Sequence, residues 1–110
     1  MSATRRLREK SLVSIPSLPT LADGLAGDID DLAYDIGRHT LDDIVTVAES
    51  SIANAIALLA RDESITVEGA GAVGIAALLE GHAPKWPGPV AIVVSGGNID
   101  RDRLDAIVAG

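Results

Sequence analysis

Pro89-Val90-Ala91-Ile92-Val93-Val94 is the stretch that most constrains the fold. A continuous apolar run of this length reads as a β-strand covered on both faces, which exists only inside a sheet with helices above and below it. A second β-branched run, Asp43-Ile44-Val45-Thr46-Val47, reads as another strand. Two strands make a poor sheet by themselves, so the pattern asks for neighbours.

The segments around these runs carry helical spacing. Residues 30–40 place Leu32, Tyr34 and Ile36 in a rough apolar stripe, and from Glu49 to Arg61 the residues Ile52, Ala53, Ile56, Leu59 and Ala60 recur at helical intervals. Ala48 stands where Ser or Thr would best cap that second helix, an omission worth about 1 kcal/mol. Ile65 to Glu68 leads into a glycine run, Gly69 to Gly74, and then into a helix of small residues, Ile75 to Leu79, able to pack closely. His82 to Gly88 reads as a loop; Asp100 is placed to cap a last helix over 101–109. The order helix, strand, helix, helix, strand, helix predicts an α/β class: a partial parallel sheet with flanking helices. Residues 1–14 form a charged N-terminal segment, and 15–110 the domain portion, entered through Pro16 and Pro19 and the turn signals of Leu21 to Gly27.

Composition narrows the function classes. The 110 residues are 47% hydrophobic, but the apolar side chains are mainly Ala, Val, Ile and Leu, with no Phe, one Trp and one Tyr. Such side chains bury little area each, and eleven glycines add chain entropy, as in a piece of a larger α/β core. A formal charge of −7 excludes a basic face for nucleic acid, and the absence of Cys excludes disulfides, Cys-zinc sites and thiol catalysis. Arg5-Arg6 is followed by the charged Arg8, Glu9 and Lys10 rather than an apolar signal region, and no apolar run reaches the roughly 18–20 residues of a membrane span. A cytoplasmic protein without membrane contact is the expectation.

Two motifs merit weighing. Gly69-Ala70-Gly71-Ala72-Val73-Gly74 spells G-x-G-x-x-G, the letter pattern of a dinucleotide site. Against that, Glu68 sets a carboxylate where a pyrophosphate would approach, no acidic residue follows at the end of the next strand, and the leading strand is very short; tight helix packing is the better explanation of the glycines. Ser95-Gly96-Gly97-Asn98 lies at a strand C-terminus, where α/β sheets hold ligands, and its glycines admit backbone amides to a ligand while Ser and Asn add a hydroxyl and an amide. A plain strand-to-helix turn explains it as well. His39 and His82 lack partners at metal spacing, no G-x-S-x-G elbow surrounds Ser95, and Asp30-Asp31 and Asp42-Asp43 read as capping or solvated carboxylates. The sequence offers no catalytic group and no metal site.

Taken in order, Pro19-Thr20-Leu21-Ala22-Asp23-Gly24-Leu25-Ala26, Val67 through Leu79, and Val93-Val94-Ser95-Gly96-Gly97-Asn98-Ile99-Asp100 resemble the C-terminal portion of fold-type II pyridoxal-phosphate enzymes, the threonine dehydratase and serine racemase group. Asp42 to Val47 and the helix after it fit the same alignment, so the resemblance runs from about residue 10 to the end. It implies a twisted α/β sheet enclosing pyridoxal 5'-phosphate. By the same resemblance Ser95 hydrogen-bonds the pyridine nitrogen, with Gly96 beside it; Glu68 lies near the ring; Asp23-Gly24 walls the substrate side; and Asn98 stabilises the turn after Ser95. A neutral hydroxyl leaves that nitrogen unprotonated, which suits elimination more than transamination.

The family's Ser-x-Lys-x-Arg segment with the Schiff-base lysine, and its phosphate-cradling glycine run, have no counterpart here; Lys10 and Lys85 sit in polar or loop settings. Met1 would fall in mid-enzyme. The expectation is therefore a fragment or split subunit of a threonine/serine ammonia-lyase or a racemase, needing a lysine-bearing N-terminal chain or homologous subunit before a small amino-acid substrate is turned over. A non-catalytic module docking on an intact homologue, or a small dinucleotide-binding domain, are the alternatives.

Overall fold

A computed structural model describes residues 19–25, 30–82 and 87–110. The charged segment 1–14, the Pro16 bend, the Ala26-Gly27 turn, Lys10 and Lys85 lie outside them. Four helices are described: α1 (Asp31–Thr40), α2 (Glu49–Asp62), α3 (Gly69–Leu79) and α4 (Arg101–Ala109), with a 3-10 turn at Asp23–Leu25.

Helix α2 is the centre. Ile52, Ala55, Ile56 and Leu59 fall at the i, i+3, i+4, i+7 spacing of one helix face, and all four are buried. Against that face α3 sets Ala72 and Ala76, one turn apart, and α4 contributes Leu104, with Val67 and Ala22 closing the cluster. Ile56 and Val67 are the largest side chains wholly removed from water. Alanine supplies much of this core, so α2 and α3 approach closely while burying modest area.

Helix α1 is built differently. The Asp30 carboxylate accepts from Ala33 N–H at 2.7 Å, Arg38 pairs with Asp35 at 3.0 Å, and Arg38 lies 5.9 Å from the centre of the Tyr34 ring. None of its residues is buried, so its helicity rests on this cap and these short-range pairs.

The helix starts show two departures from expectation. Asp100 occupies the N-cap position of α4, but its side chain makes no capping bond. Helix α3 starts at Gly69, so the glycine run forms its first turns rather than a loop ahead of it. Ala48 indeed offers no cap to α2; Glu80 at the end of α3 fills the gap, accepting from Ala48 N–H at 2.7 Å and from the Ser51 hydroxyl. Those two bonds, with His82 alongside, hold the Glu80 carboxyl below the usual carboxylate range.

The expected parallel sheet is not seen among the described residues. Among the described residues none belongs to a strand, and 43–48 and 89–100 run without ladder hydrogen bonds. A ladder needs a second edge running alongside, and a strand-type run acquires one only from outside its own sequence. A single bond, Glu68 N–H to the Gly96 carbonyl at 2.9 Å, links the ends of the 65–68 and 90–96 segments.

Candidate functional site

The first turn of α3 gathers three segments far apart in the chain, and absent side chains let it do so. A Cβ on Gly69 would stand 1.9 Å from the Leu21 carbonyl oxygen, and one on Gly71 would stand 1.7 Å from that of Ser95. Backbone therefore lies against backbone on two sides of the helix start, closer than any other residue permits. Both glycines are occupied by these contacts, which leaves no place for a pyrophosphate at them and gives the G-x-G-x-x-G run its packing explanation.

Gly96 sits on the same turn at φ +81, in the left-handed region, and a Cβ there would meet Glu68 Oε1 at 1.9 Å. Glu68 is the N-cap residue of α3, yet its side chain makes no capping bond; its carboxylate lies under the Gly96 backbone instead. On the other flank the 3-10 turn brings Gly24 to the Ala70 Cβ. Beside this junction is a cavity of about 200 Å³ whose lining includes Asp23, Glu68, Asn98, Asp100 and Arg103. Three carboxylates, one guanidinium and one amide thus share a small open space at a helix N-terminus, the end whose N–H groups favour negative charge.

Of the residues singled out from sequence, Glu68 and Asn98 line this cavity, Gly96 covers the Glu68 carboxylate, and Gly24 joins through Ala70. Ser95 touches the junction through its carbonyl at Gly71, and the residue is exposed. Exposed Ser95 and left-handed Gly96 thus stand beside a helix start whose N-cap side chain makes no capping bond. Both lysines of the chain fall outside the described residues.

Sequence reasoning missed Glu49 as a contact across the fold. Its carboxylate accepts from the Thr20 hydroxyl and, at 2.8 Å, from Leu21 N–H. Nothing local could announce this, because the partners lie 29 and 28 residues away. Arg103 was also missed; the turn-by-turn pattern of α4 gives no hint that it faces a cavity. Among the described residues no helix is long and apolar enough to cross a membrane.

The chain is 42% identical over 103 residues to an L-threonine ammonia-lyase of Thermotoga maritima, an alignment covering 93% of this chain and 25% of that protein. Among solved structures, a threonine deaminase of T.th. superposes with a TM-score of 0.81 at 33% identity, over 90% of this chain and 36% of that one. Maize serine racemase superposes with a TM-score of 0.84 at 29% identity, over 96% of this chain and 33% of that one. These neighbours are fold-type II pyridoxal-phosphate enzymes, and the chain spans about a quarter to a third of their length. The family model for pyridoxal-phosphate dependent enzymes matches residues 1–96, most of the sequence, and the chain belongs to that family.

Proposed function

We propose that this chain is the C-terminal portion of a pyridoxal-phosphate dependent threonine/serine ammonia-lyase or a serine racemase, and that it forms one wall of the cofactor site. The observation that carries this reading is the meeting of 20–25, 66–71 and 95–98 at the first turn of α3, since these are the segments that resemble the family. The names of the relatives support the substrate class, a small hydroxyl-bearing amino acid.

When bound, the cofactor supplies an electron sink for chemistry at the amino-acid α-carbon. The chain's own residues do the rest of what falls to them. Ser95 would donate its hydroxyl to the pyridine nitrogen without placing a formal charge there. Gly96, at positive φ, would let the backbone approach the cofactor, and Glu68 beneath it would set a carboxylate near it. Asn98 would stabilise the turn after Ser95, and Gly24 would lend a side-chain-free surface to the substrate side. A lysine must come from elsewhere, from a lysine-bearing N-terminal segment or a homologous subunit; residues 15–110 then act as its completing portion. The polar cavity beside α3 would sit at the junction of these groups.

The 110-residue polypeptide, assayed as such, is expected to release no ammonia from serine or threonine. Combined with a lysine-bearing N-terminal portion it should bind the cofactor, and Ser95→Ala should weaken that binding by about tenfold or more, the effect of a buried acceptor left without its donor. Phosphopyridoxyl fluorescence titration and ammonia release check both statements. Unchanged affinity and turnover in Ser95→Ala would reduce Ser95 to a turn residue, and turnover by the chain alone would remove the need for a partner.

A second reading, a non-catalytic module that docks on an intact homologue, draws on the exposed apolar residues Leu32 and Ile36 of α1, a helix with no buried residue. Loss of homologue binding on Leu32→Asp, with cofactor titration unaffected, would favour it.

A further inference from the structure

We infer that Glu49 is a positioning residue of the site: from the first turn of α2 its carboxylate fixes the turn that carries Asp23 and Gly24 against α3. This rests on the reading that the junction at α3 is a cofactor and substrate wall. Each carboxylate oxygen has its own donor, Oε1 the Thr20 hydroxyl and Oε2 the Leu21 N–H at 2.8 Å. The Thr20 oxygen passes the constraint on, accepting from Ala22 N–H at 3.1 Å, and the Ala22 carbonyl accepts from Leu25 N–H at 2.9 Å. Glu49, Thr20, Ala22 and Leu25 thus form a chain of hydrogen bonds around the turn, anchored at one end in a helix whose inner face is core.

What that anchor sets is the position of the Leu21 carbonyl. The Leu21 amide is held by Glu49, while the Leu21 carbonyl is the backbone group that Gly69 leaves room for. Gly24, next along the turn, meets Ala70 on the following residue of α3. Without the carboxylate, the turn keeps contact with α3 but loses the bond that fixes how far along α3 it lies. A displacement of the order of an ångström there moves Asp23 at the cavity and the glycine wall together, and so loosens the surface against which a substrate binds. Cofactor contacts made from 95–98 lie on the other flank and are left in place.

An ordinary alternative exists for an acidic residue at this place: a carboxylate in the first turn of a helix interacts favourably with the helix dipole. Reach and charge separate the two. Glu49→Gln removes the charge and keeps a side chain long enough to accept from Leu21 and to meet the Thr20 hydroxyl. Glu49→Asp keeps the charge at the helix start and withdraws it by one methylene, out of reach of residues 20 and 21. Thr20→Val cuts the relay without touching α2.

The test is amide hydrogen exchange of Leu21, Ala22 and Leu25 in the full chain, read against amides of α2 and α4 as internal controls. Glu49→Asp and Thr20→Val should speed exchange in the turn by about tenfold, with the controls unchanged, while Glu49→Gln should stay near wild type. The opposite ranking, with Glu49→Gln loose and Glu49→Asp protected, assigns Glu49 to the helix dipole and overturns the proposal. So does equal acceleration in turn and controls, which marks a general loss of stability. In a preparation completed with its lysine-bearing portion, Glu49→Asp should raise the KM for threonine by about tenfold and lower kcat far less, as expected when ground-state positioning is lost. A KM that does not move while the turn is loosened also overturns it. Should wild type show no turnover in any such preparation, the functional reading fails by itself, and the exchange ranking still decides whether Glu49 fixes the turn.

Discussion

Glycine in the middle of a helix normally costs about 1 kcal/mol relative to alanine, so replacing it with alanine usually stabilises. Gly71 inverts that expectation because the space for a methyl group is filled by the Ser95 carbonyl oxygen, a backbone atom that cannot rotate away. Gly71→Ala should therefore destabilise by about 1–3 kcal/mol through forced overpacking. Gly74 provides the comparison on the same helix: its added Cβ would meet Ile92 Cγ2 at 2.6 Å, a side-chain methyl that a χ1 change can move where the Ser95 carbonyl cannot, so Gly74→Ala should cost less than Gly71→Ala. Urea denaturation of the two variants checks this. Equal midpoints would mean that the contact at Gly71 yields freely. At this scale the sequence names residues one at a time, and the structure adds that Glu68, Gly96, Asn98 and Gly24 lie at one junction. The sequence is silent on why, because the spelling of the glycine run is the same whether the space beside it holds a phosphate or the chain's own backbone.

The helices were readable in place and type from apolar spacing, and three of the four begin within a residue of where that spacing sets them. The strands were not, because a run such as Val90 to Val94 specifies a strand only when another edge is supplied, and that edge lies in no local pattern. Caps show the same division. Asp30 does cap α1, whereas the cap of α2 arrives from Glu80, 32 residues on. That bond gives α2 a pH dependence whose sign follows from the depressed carboxyl of Glu80: the contribution is complete above the ordinary glutamate range and fades as pH falls through and below it. Lowering the pH across that window should speed amide exchange at Ala48 first, and Glu80→Gln should remove that local response. Nuclear magnetic resonance of the two forms from neutral pH to mild acid reads it directly; an identical acid response in Glu80→Gln would move the effect to another group. His82, 3.5 Å from the carboxylate, is the other titratable group in this contact.

At the scale of the molecule, the described residues form a narrow core of small side chains beneath a wide apolar exterior. Val93 is 82% exposed and Leu32 69%, with Val90, Leu78 and Leu79 also open to water. A strand-type sequence without a neighbour is a template for pairing with another chain, so the free polypeptide should self-associate as concentration rises. Val93→Lys, a charge on that run, should shift sedimentation profiles toward the monomer and, in the completed enzyme, impair assembly. A wild-type chain that stays monomeric across the accessible range would show that the run is already protected. The junction at α3 also has a consequence in time. Helices α2 and α3 are neighbours along the chain and meet by closing a short loop, whereas seating the first turn of α3 waits on Leu21 from one direction and on Ser95 from the other. Loop closure favours the near pair first. The wall of the site is then the last part to assemble and contributes little to the folding nucleus, so damage to it would leave the rate of folding nearly untouched and appear as faster unfolding.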